Sequence, residues 1–102
     1  MPVRADVTQQ RGYVSAAIVT AIVDAAGGYA AMSLFLAGAD VVTVEYKVNF
    51  VSPARGERLV AHGRVVKPGR GLTVCAGEAS VDGGPTPKTI ATMLGTMAAL
   101  AP

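Results

Sequence analysis

The chain has 102 residues, 51% of them apolar and only 16% charged, with nine Lys plus Arg against seven Asp plus Glu. That length makes one domain, 1–102, with a modest core, and a charge so near balance, without basic runs, argues against a nucleic-acid partner. One cysteine, Cys75, excludes an internal disulfide and fits a reducing, cytoplasmic setting, while one histidine among scattered carboxylates offers no metal-ligand spacing. A charged fraction below the roughly 25% usual for soluble domains predicts apolar surface left over for self-association.

At the N-terminus, Val3, Ala5 and Val7 alternate in a way that allows one brief extended segment. Gln9, Gln10 and Arg11 then lead through Gly12 into the stretch that dominates the chain, GYVSAAIVTAIVDAAGGYAAMSLFL. Its Ala, Ile, Leu and Met content predicts a helix over 12–36, with Ser15 able to cap its start and Gly38 placed to end it. Apolar residues all round predict a helix enclosed by sheet or by a second subunit. A bilayer crossing is long enough on paper, but Asp24 at its centre costs about 3 kcal/mol there and the flanks lack anchors. The stretch also exceeds the roughly 7 to 15 apolar residues of a signal peptide.

Asp24 is the one ionisable group in that segment, and a carboxylate in apolar surroundings is either paired or at work. Thr20 precedes it by four positions, and Gly27 and Gly28 follow it by three and four, so all are expected on its face. Two adjacent helical glycines cost roughly 1 kcal/mol each relative to Ala, which predicts a close approach there by a ligand or by another backbone. A hydrogen bond from nearby backbone or from Thr20 is the plain structural reading of Asp24.

After Gly38 the pattern alternates. VVTVEYKVNFV places Val42, Val44, Tyr46, Val48 and Phe50 on one strand face, with Thr43, Glu45, Lys47 and Asn49 on the other. A turn at 52–57 leads to a strand over 58–67, in which His62 is expected to face solvent. Strands over 72–81 and 89–100 follow, and the short connections predict an antiparallel meander. One apolar helix and such a sheet make an α+β domain in which the sheet curls around the helix.

The ordered set Gln9-Gln10-Arg11-Gly12-Tyr13-Val14, Val23-Asp24, Gly28-Tyr29-Ala30-Ala31, Val42-Thr43-Val44-Glu45, Asn49-Phe50, Ser52 through Glu57 and Gly69-Arg70 resembles the PaaI-like hotdog-fold acyl-CoA thioesterases across nearly the whole chain. The resemblance implies a hotdog fold, pairing into homodimers or homotetramers, and sites between subunits. It implies hydrolysis of an acyl-CoA with Asp24 as nucleophile or general base, Thr43 helping to hold the water, and Gln9 or Gln10 before the helix. Backbone N–H groups at about Ala16 and Ala17 would polarise the carbonyl. Arg55, Lys67 and Arg70 would receive the phosphates of coenzyme A, which enters as part of the substrate, with no metal or other cofactor. Two features differ from the family pattern: Ser15-Ala16-Ala17 stands where the family has His, a small residue and Gly, and Met1 lies almost on the Gln-Gly region, before which the resemblance implies a further helix and strand. The expectation is either a start upstream or a sheet without that edge strand. A hotdog module that binds acyl-CoA or assembles without hydrolysis is the alternative.

Overall fold

The computed structural model describes residues 1–3, 13–35, 39–83 and 86–100. Helix α1, Ala16–Met32, starts at the expected cap: Ser15 has extended backbone angles and its hydroxyl accepts the Ala17 N–H. Val14 and Val19, flanking that cap at the positions of a hydrophobic staple, share one buried cluster and fix the entry of the chain. The helix ends at Met32, earlier than expected. Ser33 bonds its hydroxyl back to the Ala30 carbonyl, and the N–H groups of Leu34 and Phe35 bond three residues back, tightening the last turn to a stop. The stop foreseen at Gly38 lies outside the described residues.

Four strands follow: β1 Asp40–Phe50, β2 Arg58–Lys67, β3 Leu72–Asp82 and β4 Lys88–Leu100. All pairs are antiparallel, but the order is β1-β4-β3-β2, so β2, β3 and β4 form the meander while β1 stands at the far edge beside β4. Residues 51–57 walk across the sheet's end instead of turning back. Val51 and Ser52 donate to the Ile90 carbonyl on β4, Ala54 accepts from Val14, and Glu57 donates to Asp82 on β3. The three spacings to cross total roughly 14 Å, within reach of this connection. Pro2 bridges Arg58, and Val3 donates to the Glu57 carbonyl, so the first residues run beside the start of β2.

The helix lies on one face of the sheet, burying Val19, Val23, Gly27 and Ala31 at four-residue spacing. Toward its N-terminus the core is Val14, Val19, Leu59, Ala79, Val81 and Ile90; toward its C-terminus it is Val23, Ala31, Cys75, Met93 and Met97. Contact with β2 is backbone to backbone, since a Cβ on Gly63 would collide with the Ala26 carbonyl and come within 2.8 Å of Gly27 N; toward β4, a Cβ on Gly27 would come within 2.8 Å of Met93 Cε. Enclosure on all sides is not observed among the described residues. Ala17, Ala21, Ala25, Tyr29 and Met32 remain exposed, because four strands form a surface wide enough for only one side of a helix.

Candidate active site

Asp24 sits on the flank of α1 that faces β1, half-buried, and its partner there is Thr43, whose hydroxyl donates to Asp24 Oδ1 at 2.8 Å. This pair depends on an irregularity in β1. The alternation of VVTVEYKVNFV assigns Thr43 to the face opposite Tyr46 and Val48, but a β-bulge between Thr43 and Glu45 adds a residue, so Thr43 pairs with Met97 and turns inward. Val42, opposite Ala98, turns outward instead. Thr43 Oγ1 also lies 3.4 Å from Met97 Sδ, which seats it against the core. Thr20, expected as the structural partner of Asp24, does not bond it among the described residues. The Thr43 hydroxyl fixes the orientation of the carboxylate, leaving Oδ2 without a hydrogen-bond partner among the described residues.

The other expected site residues divide. Gln9 and Gln10 lie outside the described residues. Ala16 and Ala17 do form the first turn of α1, but the Ala17 N–H is already held by Ser15 Oγ at 3.2 Å. That turn is eight residues from Asp24, so about 12 Å along the axis, too far for both to act on one carbonyl within a single chain. Arg55 lies 5.8 Å from the Tyr13 ring centroid and lines a hollow of about 300 Å³ with Gly56, Asp82, Thr86 and Lys88. Lys67 and Arg70 are at the other end of β2, roughly 30 Å from Arg58, so one chain cannot bring all three bases to one phosphate. Lys88 was missed because its closeness to Arg55 arises from strand pairing across the sheet, which no local pattern announces.

The glycine pair also divides. Gly27 faces the sheet, whereas a Cβ on Gly28 would meet nothing within 4 Å; Gly28 lines an apolar hollow of about 260 Å³ with Ala25, Tyr29, Met32 and Val41. A second apolar hollow, about 320 Å³, lies at the helix start among Tyr13, Val14, Ala16, Phe50 and Pro53. His62 is exposed, as expected, on the sheet face away from the helix, opposite Glu78. No group of metal-ligating side chains occurs among the described residues, and no helix there is long and apolar enough to cross a membrane.

The sequence profile of the thioesterase superfamily matches residues 11–88. The chain belongs to that superfamily. A thioesterase family protein from Silicibacter pomeroyi is 47% identical and superposes with a TM-score of 0.97, over 100% of this chain and 75% of that one. A Bacillus halodurans protein solved with CoA is 25% identical at a TM-score of 0.91, covering 98% of this chain and 68% of that one. A thioesterase from Haemophilus influenzae, 20% identical at a TM-score of 0.87 over 98% of this chain and 68% of that one, adds support for the fold alone. A search of curated proteins finds no match. The thioesterase superfamily member described here therefore has the expected hotdog arrangement of one helix on an antiparallel sheet, and thioester hydrolysis is the class of chemistry its membership supports.

Proposed function

We propose that this chain hydrolyses an acyl-CoA to the free acid and CoA at a seam between two copies of itself. The observation that carries the proposal is the Thr43 to Asp24 hydrogen bond at 2.8 Å, set on an open helix flank beside an apolar hollow. Thr43 holds one carboxylate oxygen, and the other is left to act. As a general base it takes a proton from water, whose oxygen adds to the thioester carbonyl; collapse of the tetrahedral oxyanion breaks the C–S bond, and the departing thiolate receives that proton. As a nucleophile it displaces the CoA thiolate, which leaves to take up a proton, and forms an acyl anhydride that water then opens. Solvent label in the Asp24 carboxylate after a single turnover in heavy-oxygen water establishes the anhydride route, opened at the Asp24 carboxyl carbon.

The oxyanion needs N–H donors, and the 12 Å gap favours a reading in which the helix start of a second copy supplies them, through Ala16 and, once it is released from Ser15 Oγ, Ala17. Strand β1 is a suitable place for that copy to attach: it is the sheet's edge, with Val44, Tyr46, Phe50 and Val51 exposed. The product is a homodimer, or a homotetramer if dimers pair again. Arg55 and Lys88 share one hollow and form the better-supported cradle for the CoA phosphates; Lys67 and Arg70 fit only if another copy brings them near. An acyl-CoA substrate and a free thiol in Cys75 fit a cytoplasmic protein.

One observation favours the alternative of a module that binds acyl-CoA, or assembles, without hydrolysis: the Ser15 hydroxyl already occupies the Ala17 N–H. The test is release of free CoA from a range of acyl-CoAs, read with a thiol dye. Cys75 is buried and its burial pushes the thiol up, so the folded protein contributes little background. Asp24→Asn keeps an oxygen for Thr43 and is expected to lower kcat by about 10²–10⁴-fold. An unchanged rate in that variant removes Asp24 from the chemistry, and calorimetric binding without turnover establishes the alternative.

A further inference from the structure

Gly27 is explained by the sheet pressed against it, whereas nothing among the described residues explains Gly28. A glycine inside a helix costs about 1 kcal/mol relative to Ala, yet a Cβ at Gly28 meets nothing within 4 Å. The space it leaves open is part of the hollow of about 260 Å³ whose other walls are Ala25, Tyr29, Met32 and Val41. No charged side chain lines it. Asp24, Gly28 and Met32 follow one another at four-residue spacing along one flank, so the hollow begins roughly one turn, about 6 Å, beyond the carboxylate.

We propose that this hollow takes the apolar tail of the acyl group whose carbonyl lies at Asp24, and that the missing side chain at Gly28 sets how long that tail can be. The inference rests on the thioesterase reading and adds the class of substrate: acyl groups with an aliphatic or aryl tail that extends past the first turn. An acetyl group ends before Gly28 and gains nothing there. A tail bearing a carboxylate or hydroxyl loses its water without finding a partner in this lining, and is disfavoured. The rim is suited to such a tail, because Tyr29 is 72% exposed beside Met32, a flexible thioether that adapts to either chain or ring.

The experiment compares wild type with Gly28→Leu across acetyl-, butanoyl-, hexanoyl-, octanoyl- and phenylacetyl-CoA, measuring kcat/KM and, in an Asp24→Asn background, binding by calorimetry. Each methylene seated in the hollow is worth about fourfold, the ~0.8 kcal/mol of burying a CH₂ converted at ~1.4 kcal/mol per tenfold. Filling the hollow with Leu is expected to lower the octanoyl to butanoyl ratio by at least about tenfold. Leu also favours the helix, so loss of fold is not the expected route to that result; Ala25→Leu, one turn earlier on the same helix and also lining the hollow, is the second variant.

Turnover by wild type with parallel length profiles in both proteins overturns the inference and leaves the thioesterase reading standing. Binding that strengthens with length in the Asp24→Asn background, and no longer does so with Gly28→Leu, supports the inference even if wild type turns nothing over, which sinks the thioesterase reading instead. Absence of both length-dependent turnover and length-dependent binding overturns the inference. Loss of self-association in Gly28→Leu, by sedimentation, shows that a neighbouring chain fills the hollow and overturns it as well.

Discussion

The two flanks of α1 are built on opposite plans. On the side turned to the sheet and β2 the packing is closed: Gly63 of β2 leaves no room for a Cβ beneath Ala26, and Gly27 rests against the Met93 side chain of β4. On the side of β1 the helix stands off, with Asp24 reaching across to Thr43 and, among the described residues, nothing close to Gly28 and no strand paired to the outer edge of β1. The closed flank spends its glycines on packing, and the open one keeps a glycine that no described residue approaches. Packing is concentrated on the first side, and the proposed chemistry belongs to the second.

Substitutions that treat the flanks alike sharpen this contrast. The largest expected effect is at the closed side, where Gly63→Ala drives a methyl into the helix backbone; about 3 kcal/mol of stability should be lost, near the top of the overpacking range, as measured by denaturant unfolding. A loss below about 1 kcal/mol shows that helix and β2 are not in backbone contact. Next comes the open edge. Tyr46→Lys places a charge on β1 and is expected to weaken self-association by about 2 kcal/mol, read by sedimentation, with little change in the unfolding of the isolated chain. The smallest effect is the most direct comparison. Gly28→Ala should raise stability by about 1 kcal/mol, roughly 5 °C in Tm, whereas Gly27→Ala should gain none, because its new methyl meets Met93 and Met97. Equal gains from both erase the distinction between the flanks.

The strands were legible in the sequence because each announces itself locally. Alternation and turn residues placed β2 at 58–67 without error and β3 and β4 within a residue at their ends. What local pattern does not carry is who pairs with whom. The meander put β1 beside β2, and only the hydrogen bonds of residues 51–57 to the ends of β4 and β3 reveal the crossing. The same limit shaped the site. Asp24 stood out as a lone carboxylate in an apolar helix, but its partner was assigned from periodicity to the wrong side of the strand, since a bulge is selected by contacts across the sheet and VVTVEYKVNFV alternates as cleanly with it as without. Gly27 and Gly28 looked interchangeable in sequence, yet successive residues on a helix point about 100° apart, enough to send one into the core and the other to the rim. The proximity of Arg55 and Lys88 had no local signature at all.

The bulge at Val44 carries a consequence for assembly. A strand added at the free side of β1 meets two regular stretches, Asp40–Thr43 and the longer Glu45–Phe50, with the rhythm of the edge broken between them at Val44. In a strand-joined pair whose twofold axis passes through the longer stretch, each copy's Thr43 is left just outside the zipped segment, at the mouth of the seam, open to an incoming molecule.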